Sequence, residues 1–200
     1  MGFFGLAELM FESVIDARDR YMRPTGHMLP RHLRLCVAPV DDSHVHQDLG
    51  LGLWERPVYG LDFSRLLEAE VQSFITAACD LTPASLLGPE VDELDLTTAA
   101  TMIVERDGTL HGFGGWFEVD LVPNVSLSCS PMLPPTHWRQ SFFPVRPFPV
   151  LENDRIRLAM NAERTEIGDQ RLPLYFVDGE VIREGTVVQR VFYRHHGSFE

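Results

Sequence analysis

The chain has 200 residues, of which 44% are hydrophobic and 23% are charged, and its formal net charge is −12. This composition is typical of a globular chain that buries a sizeable core, and it excludes a disordered polypeptide. All 17 basic residues are arginine. The acidic balance argues against nucleic acid as a direct partner; it would attract basic polypeptides, although charge that only keeps the protein soluble explains it equally simply.

The sequence carries no sign of export or of membrane insertion. The first ten residues lack the basic region and the cleavage site of a secretory signal. No apolar run approaches the roughly 20 residues of a membrane-spanning helix. Cys36, Cys79 and Cys129 are widely separated along the chain, which predicts buried, reduced thiols rather than a disulfide framework. We therefore expect a soluble protein of the cytoplasm or nucleus, with no membrane partner.

The first predicted element is a helix. Apolar side chains recur at three- and four-residue spacing, which places them on one helical face. These side chains are Leu6, Met10, Val14, Ala17 and Tyr21. Pro24 and Gly26 then end the helix.

Beyond Pro30 the pattern changes to short extended runs, several of which alternate between apolar and polar residues. We predict strands over residues 32–40, 95–104, 110–122, 126–130, 138–145, 154–162, 172–177 and 186–193. A different segment, at about 56–90, separates the first two strands. It contains a short amphipathic helix over 64–74, and an excursion of this length in a β domain is usually functional. The apolar side chains of that helix are Leu66, Leu67, Val71 and Phe74.

The predicted fold is mostly β: a β-barrel-like domain over 31–200 with an inserted helical arm at about 56–90, preceded by one helix within 1–30. Gly112, Gly114 and Gly115 lead into a strand rather than a helix. They therefore indicate close packing and not a nucleotide loop. His195 and His196 lack a third ligand at a useful spacing, so we predict a solvated tail.

Two motifs carry the chemistry. The first is Met-Gly at positions 1–2 with Ala-Arg-Asp at 17–19. It resembles the two-glutamate hairpin loop of protein arginine methyltransferases, where a glutamate lies between Met-Gly and Ala-Arg-Asp. Glu8 has the family's spacing to both flanks, whereas Glu12 misses each by four residues. Spacing therefore favours Glu8 as the second glutamate, with Glu12 as the alternative.

The second motif is the run from Ser130 to Trp138, which resembles the Thr-His-Trp loop of the same family. In this run Thr-His-Trp follows a Ser-Pro dipeptide and precedes a predicted strand, as it does in the family. Val-Tyr-Gly-Leu-Asp-Phe-Ser at 58–64 matches the entry to the family's dimerisation arm. The resemblance covers nearly the whole chain. Taken alone, Glu8 is compatible with a helix first turn and His137 with an ordinary loop histidine.

The resemblance implies the C-terminal part of an S-adenosylmethionine-dependent protein arginine N-methyltransferase acting on Arg-rich basic proteins. Residues 1–30 would end a Rossmann-like cofactor domain, whose main cofactor site and first glutamate would precede Met1. The arm would form a homo-oligomer. We expect the 200-residue chain alone to be inactive.

The resemblance also assigns roles to individual side chains. Glu8 and His137 are implied as catalytic, and Thr136 and Trp138 as lining the acceptor-arginine channel. Met10 matches a methionine that packs beside the acceptor nitrogen in asymmetric-dimethylating members. Met10 and Ser13 are implied as cofactor contacts.

An alternative function is a non-catalytic partner or regulatory subunit of such an enzyme. The nucleotides upstream of Met1 discriminate the two. An open frame encoding a Gly-rich loop indicates the enzyme, and a stop codon indicates the partner.

Overall fold

The computed structural model describes residues 3–6, 10–67, 74–75, 77–167 and 170–196. Within these ranges the helices are α1 (Met10–Tyr21) and α2 (Ser43–Leu49). The strands are β1 (His32–Val40), β2 (Phe74–Ile75), β3 (Ala77–Cys79), β4 (Ala99–Ile103), β5 (Gly108–Val122), β6 (Val125–Ser128), β7 (Gln140–Val150), β8 (Arg155–Ile167), β9 (Gln170–Arg183) and β10 (Thr186–His196). Short 3-10 turns cover Phe3–Gly5, Leu51–Glu55, Ser64–Leu66 and Pro83–Ser85.

The strands form two five-stranded sheets. The first has the order β1-β5-β7-β3, with β6 also paired to β5, and the second has the order β2-β10-β9-β8-β4. Neighbouring strands run antiparallel, and β2 alone runs parallel to its neighbour β10 among the described ladders. The predicted mostly β fold with one N-terminal helix is confirmed. Among the described residues, the barrel-like domain consists of two packed sheets.

The core lies between the two sheets and includes a residue from the N-terminus. Phe4, in the first 3-10 turn, is 1% exposed. Its ring makes edge-to-face contacts with Phe143 at 5.3 Å and with Tyr175 at 5.8 Å. A Cβ at Gly115 would lie 2.7 Å from Phe4 Cε2. This explains the glycine in β5, because only a residue without a side chain leaves room for the ring.

Helix α1 buries none of its residues. Met10, Val14, Ile15 and Tyr21 are all exposed. Between α1 and residues 28–33 runs a groove of about 430 Å³, lined mainly by apolar side chains. The chain then enters β1 through a cis peptide bond at Leu29-Pro30.

The predicted helix over 64–74 is wrong at its C-terminal end. A 3-10 turn covers Ser64–Leu66, and Phe74 begins strand β2, which pairs with His195 of β10. Pairing with the edge of β10 satisfies the backbone hydrogen-bonding groups of residues 74–75, and this outweighs the helical preference that the periodicity indicates. Residues 68–73, including Val71, lie outside the described residues. Farther along the predicted arm, β3 pairs with β7 and Leu87 is fully buried.

The predicted solvated tail at His195 and His196 is also wrong. Both residues extend β10, and His195 is 0% exposed, with its ring 5.5 Å from that of Phe143. Polar residues near the end of a sequence suggest exposure to solvent, but here strand pairing places the side chain of His195 in the core. The predicted buried thiols are confirmed, because all three cysteines are buried and free. No helix in the described part of the chain is long and apolar enough to cross a membrane.

Replacing Phe4 by Ala removes an aromatic side chain that packs between two other rings. We expect this variant to lose about 3–5 kcal/mol of unfolding free energy, because a cavity remains in the core. Urea denaturation followed by circular dichroism measures the loss. Tyr21→Ala, at a position that is 78% exposed, is the control and should change stability by less than about 0.5 kcal/mol. A similar, small effect of both variants would contradict the buried position of Phe4.

The burial of His195 makes stability sensitive to acid. Burial, followed by the charge of His196, lowers the pKa of His195 to about 3, against about 6.5 in an unfolded chain. The folded state needs a neutral imidazole, so the stability is present above pH 6.5 and is lost as the pH falls below it. The contribution of His195 amounts to about 2 kcal/mol between pH 7 and pH 5.

We therefore expect the His195→Gln variant to lose about 2 kcal/mol less than wild type over this pH interval, because glutamine does not titrate. Urea denaturation at pH 7 and pH 5 measures the difference. His44→Gln is the control, since His44 is exposed, and it should follow the wild-type pH profile. Equal acid sensitivity of the His195 variant and wild type would show that His195 is not the group responsible.

Candidate functional site

The predicted Thr-His-Trp loop joins β6 to β7 and is built around Ser130. The backbone N–H of Ser130 donates to Ser128 Oγ at 3.0 Å, and the N–H of Met132 donates to Ser130 Oγ at 3.2 Å. The N–H of Leu133 donates to the Ser130 carbonyl at 3.1 Å. These bonds form a tight turn before the two prolines, as is usual for a serine at the first position of a turn. The hydroxyl of Thr136 then donates to Cys129 Sγ at 3.4 Å.

The loop presents one exposed and one partly buried aromatic side chain. His137 is exposed, and Trp138 is half-buried. The Trp138 ring packs edge-to-face on Phe117 at 5.9 Å and on the His137 ring at 6.1 Å. Phe117 is 1% exposed, so Trp138 is supported from below by the core while His137 faces solvent.

The turn that follows Met-Gly of the first motif and the loop of the second motif both lie against Phe117. A Cβ at Gly5 would lie 3.4 Å from Phe117 Cβ and 3.1 Å from Leu33 Cδ1. Phe117 therefore contacts the N-terminal turn on one side and Trp138 on the other. The Phe3–Gly5 turn and Trp138 are more than 130 positions apart in the sequence, yet they share one supporting side chain.

The remaining predicted site residues belong to the N-terminal region. Glu8 lies outside the described residues, two positions after Leu6. Glu12 is on the exposed surface of α1, where its carboxylate accepts a hydrogen bond from Arg164 Nη1 at 2.7 Å. Met10 is 48% exposed and Ser13 is exposed. Because they are three residues apart on α1, Met10 and Ser13 lie on neighbouring positions of one helical face.

Arg139 and Gln140, which follow the motif, were not predicted as functional, although both hold the loop in place. Arg139 forms a bidentate ion pair with Asp80, with Nε–Oδ1 at 2.8 Å and Nη2–Oδ2 at 2.7 Å. The amide of buried Gln140 donates to the Cys129 carbonyl at 2.7 Å and accepts from the N–H of Leu81 at 2.8 Å. The position of Arg139 and Gln140 directly after the motif could have suggested them. No sequence signal pointed to Asp80.

The ion pair changes the titration of both partners. The hydrogen bond from Arg139 lowers the pKa of Asp80, and the hydrogen bond to Asp80 raises the pKa of Arg139. Both groups therefore stay charged around neutral pH. The loop that carries His137 and Trp138 is held by a persistent charge pair on one side and by a buried amide on the other.

Other clusters of polar groups are structural. Among the described residues, one group of potential metal ligands lies close together: Cys36, Asp92 and Glu118. Burial raises the pKa of the Cys36 thiol to about 12, and Glu118 already pairs with Arg34 at 3.0 Å. A protonated thiol and a paired carboxylate offer a metal ion little. We therefore assign no metal site here.

The chain is similar in sequence to known proteins. Residues 32–176 match the family model described as the arginine methyltransferase oligomerization subdomain. The protein arginine N-methyltransferase PRMT10 of Arabidopsis thaliana is 31% identical over 207 residues, covering 83% of this chain and 54% of the relative. Protein arginine N-methyltransferase 2 of Xenopus tropicalis is 29% identical over 189 residues, covering 84% of this chain and 43% of the relative. The chain thus spans about half the length of these relatives.

Solved structures agree on the fold. A structure of the Trypanosoma brucei PRMT1 enzyme-prozyme heterotetrameric complex with AdoHcy superposes with a TM-score of 0.75 at 21% identity, over 98% of this chain and 66% of that chain. A crystal structure of PRMT6-SAH superposes with a TM-score of 0.54 at 22% identity, over 90% of this chain and 65% of that chain. The chain therefore belongs to the protein arginine methyltransferase family, whose oligomerization subdomain its residues 32–176 match.

Proposed function

We propose that this chain supplies the acceptor-arginine side and the oligomerisation arm of an S-adenosylmethionine-dependent protein arginine N-methyltransferase. The observation that carries the proposal is that two distant segments contact Phe117, which lies beneath the Thr-His-Trp loop and beside the Phe3–Gly5 turn, three positions before Glu8 in the sequence. Two distant segments that converge on one supporting side chain are expected where both line the same substrate.

Glu8 would hold the acceptor arginine. A guanidinium is protonated at neutral pH and is a poor nucleophile in that form. A carboxylate that binds its planar fork orients one nitrogen and draws positive charge onto the others. Glu12 is less suited to this task, because its carboxylate already binds Arg164 at 2.7 Å. This pairing agrees with the spacing argument for Glu8.

His137 and Trp138 would close the acceptor channel. Trp138 is fixed edge-to-face against Phe117, so its exposed face offers a rigid wall for the aliphatic part of an arginine side chain. An arginine also stacks favourably on an indole ring. His137, exposed beside Trp138, would pair with an acidic group outside the described residues. Thr136 acts on the loop itself through its bond to Cys129.

Met10 and Ser13 would contact the cofactor from α1. Their side chains are exposed on adjacent positions of the helix, so a thioether and a hydroxyl are accessible there, as a cofactor contact requires. S-adenosylmethionine, when bound, supplies an electrophilic methyl group. By the family resemblance Met10 would lie beside the acceptor nitrogen, and asymmetric dimethylation is the product we propose on that ground.

Arg-rich basic proteins are the proposed substrates. A chain with a formal net charge of −12 attracts positively charged segments and raises their local concentration at the acceptor site. The carboxylate clamp and the aromatic wall are both suited to arginine.

A second candidate is a non-catalytic subunit that assembles with a separate methyltransferase. The Trypanosoma brucei structure, which is an enzyme-prozyme heterotetrameric complex, supports this candidate by analogy. The nucleotides upstream of the Met1 codon discriminate the two functions. A frame that encodes a Gly-rich cofactor loop supports the enzyme, and an in-frame stop codon supports the partner.

Glu8→Gln tests the clamp. We expect no methyl transfer to an Arg/Gly-rich peptide by the 200-residue chain, and transfer once it is expressed with the upstream coding sequence. In that extended protein Glu8→Gln should lower kcat by at least about 100-fold, because a neutral amide cannot stabilise the guanidinium charge and alignment is lost. Radiolabelled methyl incorporation is the measurement. His137→Ala should lower kcat less, because it acts through loop position.

Glu12→Gln is the matched control, since it makes the same chemical change four positions later in the sequence. It should keep kcat within a few-fold of wild type. A severe loss for Glu12→Gln together with full activity of Glu8→Gln would move the clamp to Glu12. Robust turnover by the 200-residue chain alone would contradict the assignment of the main cofactor site to residues outside it.

The arm should drive weak self-association. In its described part Tyr59 is fully exposed at a two-residue turn, and Leu61 and Leu66 are also exposed. Apolar side chains grouped in this way usually mark a protein interface. Tyr59→Ser combined with Leu61→Ser should raise the dissociation constant at least about tenfold, a loss of about 1.4 kcal/mol. Sedimentation velocity over a concentration series measures it.

Phe192→Ser is the control for this change. Phe192 is 62% exposed on β10, outside the arm range 56–90 in the sequence, and its replacement should leave association unchanged. A wild-type chain that stays monomeric at high concentration would count against the role of the arm.

A further inference from the structure

The Thr-His-Trp loop is tied to residues 80–81, which follow β3 in the C-terminal part of the predicted arm range and are called the returning segment below. Asp80 follows directly after β3, and Arg139 lies directly before β7. Their side chains form two hydrogen bonds of 2.8 and 2.7 Å. A bidentate pair fixes the orientation of both partners, which a single contact does not.

A second link runs parallel to the first. Gln140 is 4% exposed, and its amide bridges the Cys129 carbonyl at the start of the loop to the N–H of Leu81 in the returning segment. The thiol of Cys79 donates to the Gln140 carbonyl at 3.6 Å. The two ends of the loop and the returning segment are therefore joined at one buried amide.

The backbone at Arg139 adds a third observation. Its φ is +49°, in the left-handed region that a residue with a side chain rarely adopts. Such a conformation persists only where the surroundings hold it. Because Trp138 directly precedes Arg139, the φ of Arg139 contributes to how the peptide that carries Trp138 is turned relative to β7.

Stability does not explain the pair. Arg139 and Asp80 have side-chain exposures of 41% and 60%, and exposed ion pairs contribute little to the free energy of unfolding. The ion pair, however, lies between the returning segment and the loop of the predicted acceptor site. A role in orientation therefore fits the pair better than a role in stability.

We propose that Asp80 and Arg139 are positioning residues that link the segment returning from the arm to the orientation of Trp138. The consequence of this link for the reaction rests on the proposed function, because Trp138 has its channel role only there. A shift of the returning segment when the arm docks on a second copy would be transmitted through the ion pair to the acceptor loop.

Asp80→Asn tests the link in the 200-residue chain. The three tryptophans give three indole N–H signals in a 15N-labelled sample, and Trp138→Phe identifies the signal of Trp138. We expect Asp80→Asn to move the Trp138 signal by more than its line width and to leave the buried Trp116 signal in place. Asp80→Glu, which keeps the carboxylate, should return the Trp138 signal toward its wild-type position. The urea midpoint of Asp80→Asn should stay near that of wild type.

Asp48→Asn is the matched control. It removes the exposed pair between Asp48 and Arg56, whose N–O distance is 2.9 Å and whose exposures are 65% and 53%. The Trp138 signal should not move in this variant. An unmoved Trp138 signal in Asp80→Asn, or an equal displacement in Asp48→Asn, would overturn the proposal. Because the indole signals need no methyl transfer, this result is independent of whether the chain takes part in catalysis.

Discussion

The packing of Phe4 between Phe143 and Tyr175 is the contact on which the geometry of the site depends. It anchors the N-terminal turn in the core between the two sheets, more than 100 residues away along the chain from the strands that receive it. Helix α1 buries none of its own residues, so the buried Phe4 ring is the main apolar contact that holds the described N-terminal turn in the core. This aromatic side chain thus connects the N-terminal turn to the β fold.

The second motif is held differently. Its loop has few buried side chains of its own, and its shape comes from hydrogen bonds of Ser130 within the turn and of Gln140 at its neck. The first motif is therefore fixed by apolar packing and the second by polar bonds. Apolar packing is tolerant of small displacements, whereas hydrogen bonds depend on direction. The packed N-terminal turn therefore serves as a support, and the directional hydrogen bonds set the orientation of the Thr-His-Trp loop.

The sequence predicted the strands well because their alternating pattern survives in the fold, and the first strand, His32–Val40, has the predicted bounds. The failures have physical causes. Phe74 carries a helical pattern, but its backbone pairs with β10, and His195 is polar at a chain end but is enclosed by strand pairing. Pairing between strands that are far apart in the sequence leaves no pattern in the residues around them. The two motifs could be found from the sequence, but the shared contact of the Phe3–Gly5 turn and Trp138 with Phe117, and the Asp80–Arg139 pair, required the three-dimensional arrangement.

The adjacent glycines of β5 have a consequence for how this protein can evolve. Gly115 leaves the space that Phe4 fills, while Gly114, on the opposite face of the strand, leaves space for Leu81 in the segment returning from the arm. A larger residue at position 115 would collide with the rings of Phe4 and Phe143, and a larger residue at position 114 would collide with Leu81. Two neighbouring codons therefore come under separate covariation constraints, one with the N-terminal motif and one with the base of the arm.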